Sequence, residues 1–132
     1  MDLKRIVDES KNGVVETYYD NGQLKSRTLL KDGKHNGLYE TWYKNGQPMV
    51  RTNYKNGKLD GLRETWYENG RLNTRANYKD GNRDGLCESW CTNGQLWTRI
   101  NYENDKLNGL HETWYKNGKL RERAIYKDGV KQ

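Results

Sequence analysis

Glycine returns every 24 residues along this chain. Gly13, Gly37, Gly61, Gly85 and Gly109 form one series, and Gly22, Gly46, Gly70, Gly94 and Gly118 form a second. Gly33, Gly57, Gly81 and Gly129 form a third, with Asp105 in its missing slot. These three series hold all 14 glycines of the 132-residue sequence. A fixed period of this size marks a repeat architecture. The chain therefore divides into a lead or degenerate half-repeat, residues 1–12, and five copies of one unit: 13–36, 37–60, 61–84, 85–108 and 109–132. The best-formed copy reads GLRETWYENGRLNTRANYKDGNRD, residues 61–84.

Each copy reads as two strands, GLRETWY and RLNTRANY in the third, with the alternation and the Tyr, Trp, Thr content that strands favour. Asn-Gly stands between them, a strong hairpin signal. A Lys-Asp/Asn-Gly turn and a second turn glycine follow the second strand. Glycine cuts every run before a helix could develop. The expected fold is all-β: an elongated single-layer antiparallel meander of about ten strands, five β-hairpin repeats long, roughly 45–50 Å at the usual strand spacing. Leu3 to Val7 offer a further short strand at the first edge. Aliphatic residues are scarce, as in disordered chains. Ten Tyr and five Trp at regular intervals exclude that reading. No apolar run reaches the length of a membrane helix, and no secretory signal is seen.

The run YKNGKLDGLRETW, Tyr54 to Trp66, resembles the MORN repeat, membrane occupation and recognition nexus. The 24-residue spacing and the paired Asn-Gly turns resemble its variant, antitoxin-like form, seen in bacteria and large DNA viruses. The resemblance extends over residues 13–132. It implies a stacked β-hairpin fold and a scaffold role, with neutralising or tethering of a partner protein as one version.

Side chains alternate between the two faces of a strand. A three-residue loop, Glu68-Asn69-Gly70, places Trp66 opposite Leu72 and gathers Leu62, Trp66, Leu72 and Tyr78 on one face. A two-residue loop instead sets Glu64 opposite Arg75, an ion pair worth about 0.2–1 kcal/mol. Burying the large apolar side chains is worth roughly 1.5–3 kcal/mol each, which favours the three-residue loop. On that register Trp42, Trp66, Trp90 and Trp114 with Tyr54, Tyr78, Tyr102 and Tyr126 form a uniform structural spine, with a binding groove as the alternative. The opposite face holds the constant Arg27, Arg51, Arg75, Arg99 and Arg123 beside Tyr43, Tyr67 and Tyr115. It also holds positions that differ between copies: Tyr39, Arg63, Cys87 and His111, and Lys25, Met49, Asn73, Trp97 and Arg121. This variable face is the candidate partner-binding surface, weighed against plain tolerance of surface positions. Each arginine is expected to lie over a neighbouring tyrosine, and the regular Glu16, Glu40, Glu64, Glu88 and Glu112 to occupy the spine face. Trp97 is expected opposite Ser89, packed on Cys91 and at least half buried, with a binding hot spot as the alternative.

Catalytic chemistry is absent. Cys87 and Cys91 lie too far apart along one strand for a disulfide, which suits a reducing, cytoplasmic compartment. Cys87 and His111 sit about 10 Å apart across an intervening strand, out of reach of one another. No cofactor motif and no metal-ligand spacing occurs. The net charge of +6 is spread thinly, and the fourth copy sums to −1. A nucleic-acid or membrane track more often shows a sustained basic stripe. The reading is a non-enzymatic repeat scaffold for a protein or peptide partner, self-associating as a homodimer through an open edge or an aromatic face. The alternative is a binder of nucleic acid or an anionic lipid surface through arginine and aromatic side chains.

Overall fold

The computed structural model describes the backbone of residues 3–6 and the whole of residues 12–132. Twelve strands follow one another: β1 Leu3–Ile6, β2 Gly13–Tyr18, β3 Leu24–Lys31, β4 Lys34–Trp42, β5 Pro48–Lys55, β6 Lys58–Trp66, β7 Leu72–Lys79, β8 Asn82–Trp90, β9 Leu96–Glu103, β10 Lys106–Trp114, β11 Leu120–Lys127 and β12 Val130–Lys131. They form one sheet in chain order, every neighbouring pair antiparallel. The meander is as expected, with the lead supplying β1; Val7 lies outside the described residues.

Two kinds of turn alternate. At one end of the sheet the loops have three residues. In the third copy Gly70 N donates to Tyr67 O and Tyr67 N to Arg71 O, enclosing Glu68-Asn69-Gly70 with Gly70 at φ 89°. Asn69 Oδ1 accepts from Arg71 N, and Asn69 Nδ2 reaches Thr92 O in the next loop, so each loop is tied to the following one. At the other end two residues suffice: Asn56 at φ 52° and Gly57 at φ 82° join Lys55 to its partner Lys58. Positive φ at both positions is the hairpin geometry that matches strand twist.

The register departs from expectation two residues after each three-residue loop. Trp66 does face Leu72, yet Thr65 faces Thr74 and Glu64 faces Arg75. One residue, Asn73, is left over as a bulge. The same slip falls at Lys25, Met49, Trp97 and Arg121. Loop length alone predicts neither the extra residue nor the parity change it brings. The bulge lets the chain keep both alternatives, the Trp66–Leu72 contact and the Glu64–Arg75 pair.

A second irregularity corrects the role of the first glycine series. Gly37, Gly61, Gly85 and Gly109 are not in turns but inside strands. Asn77 alone stands opposite Asp84, Gly85 and Leu86, and its Nδ2 donates to Leu86 O at 3.1 Å. Asn101 does the same for Leu110.

A one-layer sheet has little interior. Among the described residues only Thr52, Glu112 and Ala124 are buried, and no large apolar side chain is fully so. The strand ladder therefore holds the fold together with half-buried side chains on both faces.

Candidate functional site

The corrected register redistributes the candidate residues. One face carries an unbroken row of alternating charge: Glu16, Arg27, Glu40, Arg51, Glu64, Arg75, Glu88, Arg99, Glu112 and Arg123, each directly opposite the next. Every glutamate engages the arginine eleven residues on, at 3.1 Å for Glu16–Arg27, 3.3 Å for Glu40–Arg51, 3.1 Å for Glu64–Arg75, 3.0 Å for Glu88–Arg99 and 2.7 Å for Glu112–Arg123. The arginines thus share a face with the glutamates instead of opposing them. Trp42 and Trp66 lie on this face too, with Arg27 and Arg51 each 5.8 Å from a tryptophan ring rather than over a tyrosine.

The opposite face carries a row of hydroxyls, among them Thr65 and Thr74 at 2.6 Å and Ser89 and Thr98 at 2.6 Å. Beside it runs Val15, Thr28, Tyr39, Thr52, Arg63, Ala76, Cys87, Ile100, His111 and Ala124. The variable Tyr39, Arg63, Cys87 and His111 belong to this row. So do their neighbours Tyr54, Tyr78, Tyr102 and Tyr126, which the sequence had grouped with the tryptophans. Tyr39 meets Tyr54 edge-on at 6.1 Å, and His111 meets Tyr126 at 5.6 Å. His35 fills the space between Tyr39 and Tyr54 and accepts or donates a bond with Thr28 Oγ1 at 2.7 Å. The Nδ1 of His111 is buried and has no hydrogen-bond partner. The spine and the variable face are therefore mixed: tryptophans go with arginines, tyrosines with the variable positions.

A shallow groove of about 230 Å³ lies on this face, walled by Arg63, Tyr78, Arg83, Cys87, Ile100 and Tyr102. Burial is the main influence raising the Cys87 thiol above its ordinary pKa, so the sulfur stays protonated and a poor nucleophile. Cys87 and Cys91 are both free. Among the described residues no three His, Cys, Asp or Glu side chains cluster.

The bulge residues form a third group at the three-residue-loop end. Lys25 lies 5.6 Å from the Tyr19 ring and Arg121 6.0 Å from that of Tyr115. A bulged residue stands outside the cross-strand register, which explains why Lys, Met, Asn, Trp and Arg all serve here. Trp97 is one of them; Ser89 faces Thr98, not Trp97. It keeps 49% of its surface exposed and shares a cleft with Cys91 and Tyr67. Burial first, and Cys91 second, raise the Tyr67 phenol above its usual pKa.

Asp105 replaces a turn glycine at φ 66°. Its Oδ1 accepts from Arg83 N and Arg83 Nε, both at 2.9 Å, and Arg83 also lies 4.1 Å from the Tyr102 ring. The backbone N–H of Arg83 first, and its side chain next, hold the Asp105 carboxyl below its ordinary pKa. A depressed carboxylate adds stability above its unfolded value, near ~3.9, and loses it as pH falls through the folded value. Urea midpoints at pH 5 and pH 2.5 should therefore differ more for the native chain than for Asp105→Asn. Equal differences would mean that the Arg83 pair adds nothing.

The MORN repeat variant family matches residues 11–32, 36–56, 59–80, 83–104 and 107–128. Repeats of this type are non-enzymatic and generally mediate protein or membrane binding. No curated protein matches the chain. The solved structures similar over part of their length include two of one protein. One is a mutant of S. aureus TarM in complex with Fondaparinux, alpha-GlcNAc-glycerol and UDP, at 13% identity and a TM-score of 0.44, over 81% of this chain and 21% of that one. The other is a crystal structure of TarM, at 11% identity and a TM-score of 0.42, over 79% and 21%. The chain spans about a fifth of each of these proteins. With one match to each of the five hairpin units, this protein belongs to the MORN repeat variant family.

Proposed function

We propose that the protein is a non-enzymatic scaffold that binds a protein or peptide across the face carrying Tyr39, Arg63, Cys87 and His111. One observation carries this reading. Equivalent positions of successive hairpins, evenly spaced and flanked by the half-buried Tyr54, Tyr78, Tyr102 and Tyr126, present a different side chain in each copy. Such a row can be read residue by residue by a partner. The arginine row argues against a polyanion track, because every one of those guanidiniums already holds a carboxylate.

Neutralising or tethering the partner, in the antitoxin-like manner, is the version this reading favours. The two free cysteines fit a reducing, cytoplasmic setting. Self-association as a homodimer, through a strand edge or an aromatic face, belongs to this reading.

The test is a pull-down from the source cell with the native chain and with a Tyr39→Ala, Arg63→Glu, His111→Ala variant, with light scattering on both. A captured protein lost by the variant, while the variant keeps its fold and mass, is the expected result. Tight binding of single-stranded DNA or anionic vesicles, falling steeply with salt, would overturn it.

A further inference from the structure

The tyrosines at the three-residue-loop end have a gap in their row. Tyr19 donates its hydroxyl to Trp42 O at 2.6 Å, Tyr43 to Trp66 O at 2.7 Å and Tyr67 to Trp90 O at 2.7 Å. Each bond spans 23 residues and stitches one copy to the next. The next donor would serve Trp114 O, but position 91 is cysteine. A thiol ends one bond beyond Cβ, so ring and hydroxyl are both missing. What stands there is a cleft of about 350 Å³ lined by Tyr67, Cys91, Trp97, Trp114, Tyr115 and Arg121. Trp97 forms a wall without filling it, since half its surface is still exposed. The volume lies at the small end of the ligand-pocket range. Half of its lining residues are aromatic, and Trp114 O is a carbonyl acceptor of the kind that three sister positions fill with a phenol.

The rim sets the charge. Arg121 and Lys116 border the cleft, and the copy they belong to has a net charge of +3. An acidic segment complements that rim, whereas a basic or neutral one does not.

We propose that the cleft beside Cys91 receives a tyrosine side chain from an acidic segment of the partner protein. The incoming ring takes the place that a tyrosine at position 91 would fill, its hydroxyl donates to Trp114 O, and flanking carboxylates meet Arg121 and Lys116. This deepens the scaffold reading and rests on it: the variable face gives the partner its length, and the gap gives it one anchor at a fixed register. It also accounts for the exposure of Trp97, which a bound ring would cover.

The test uses three blocked pentapeptides: a tyrosine flanked on each side by two glutamates, its phenylalanine counterpart, and a tyrosine flanked by lysines. Binding is followed by tryptophan fluorescence and by NMR shifts of the Trp97 and Trp114 indoles. The acidic tyrosine peptide should bind. The phenylalanine peptide should bind about fivefold more weakly, the factor expected for one net hydrogen bond, and the lysine-flanked peptide more weakly still. Cys91→Tyr should raise the melting temperature and lower affinity for the acidic tyrosine peptide at least tenfold. Absence of binding at millimolar peptide, equal binding of the phenylalanine peptide, or unchanged binding by Cys91→Tyr would each overturn the proposal. The comparison of the first two peptides needs no variant, so it stands even if Cys91→Tyr misfolds. A partner protein held equally by the native chain and Cys91→Tyr, but lost on changing Tyr39, Arg63 and His111, would overturn the anchor and leave the scaffold reading intact.

Discussion

Replacing Glu112 with lysine should destabilise the protein by about 3 kcal/mol, the largest loss expected from any single change in the charge row. Glu112 is the most deeply buried of the glutamates, with 7% of its side chain exposed, against 11–15% for the other four. Its Oε2 accepts from Arg123 Nη2 at 2.7 Å and Nε at 2.9 Å, a forked contact, and Arg99 stands opposite it on the other side. Lysine there would put three cations side by side and leave Arg123 without its carboxylate, while Arg99 keeps Glu88. Removing one partner of a buried pair typically costs 3–5 kcal/mol. The lower figure applies because Arg123 is 58% exposed and water screens part of the change. Glu40→Lys, where one bond of 3.3 Å joins Arg51, should cost roughly half as much. Urea unfolding of both variants decides the matter. A loss below about 1 kcal/mol for Glu112→Lys would place the row among ordinary surface pairs.

That row shows how far the residues could be read without coordinates. Period, strand content, turn positions and the three-residue loop all follow from where Gly, Asn and the aromatics recur, because each constrains the backbone locally. The faces do not follow. They depend on parity, and one unpaired residue such as Asn73 inverts parity for the rest of the strand. A signal was available. Glu64 and Arg75 recur with equal regularity in every copy, and regular opposite charges eleven apart are what a cross-strand ladder needs. Weighing the ion pair against the apolar row as exclusive choices hid the bulge that satisfies both.

The candidate site was partly legible for the same reason. Tyr39, Arg63, Cys87 and His111 are identifiable because copies within one chain can be compared. Their company is not, since the shift carries Tyr54, Tyr78, Tyr102 and Tyr126 to their side. The gap at Cys91 is visible as a missing tyrosine. Its meaning depends on the Tyr67–Trp90 type of bond, a contact between a side chain and a backbone atom 23 residues away, which no sequence pattern displays.

Gly37→Val should cost about 3 kcal/mol or more, whereas Gly57→Asn should cost less than about 1 kcal/mol, although both glycines recur with the same period. Gly37 has φ 109°, a conformation that residues with a Cβ rarely adopt, and it lies inside β4 where Leu29 alone faces three residues. A Cβ there would stand 3.0 Å from Leu29 Cδ1, and valine would add two methyl groups against that side chain. Strained backbone contributes about 1–3 kcal/mol and overpacking a similar amount. Gly57 sits in a two-residue turn at φ 82°, where a Cβ meets only the Lys34 side chain at 3.7 Å. The chain already places Asp105 in the equivalent slot at φ 66°, and Asn tolerates the left-handed region better than most residues. Thermal unfolding of the two variants should separate them by about 10 °C. Similar melting temperatures would mean that β4 closes its bulge without needing glycine.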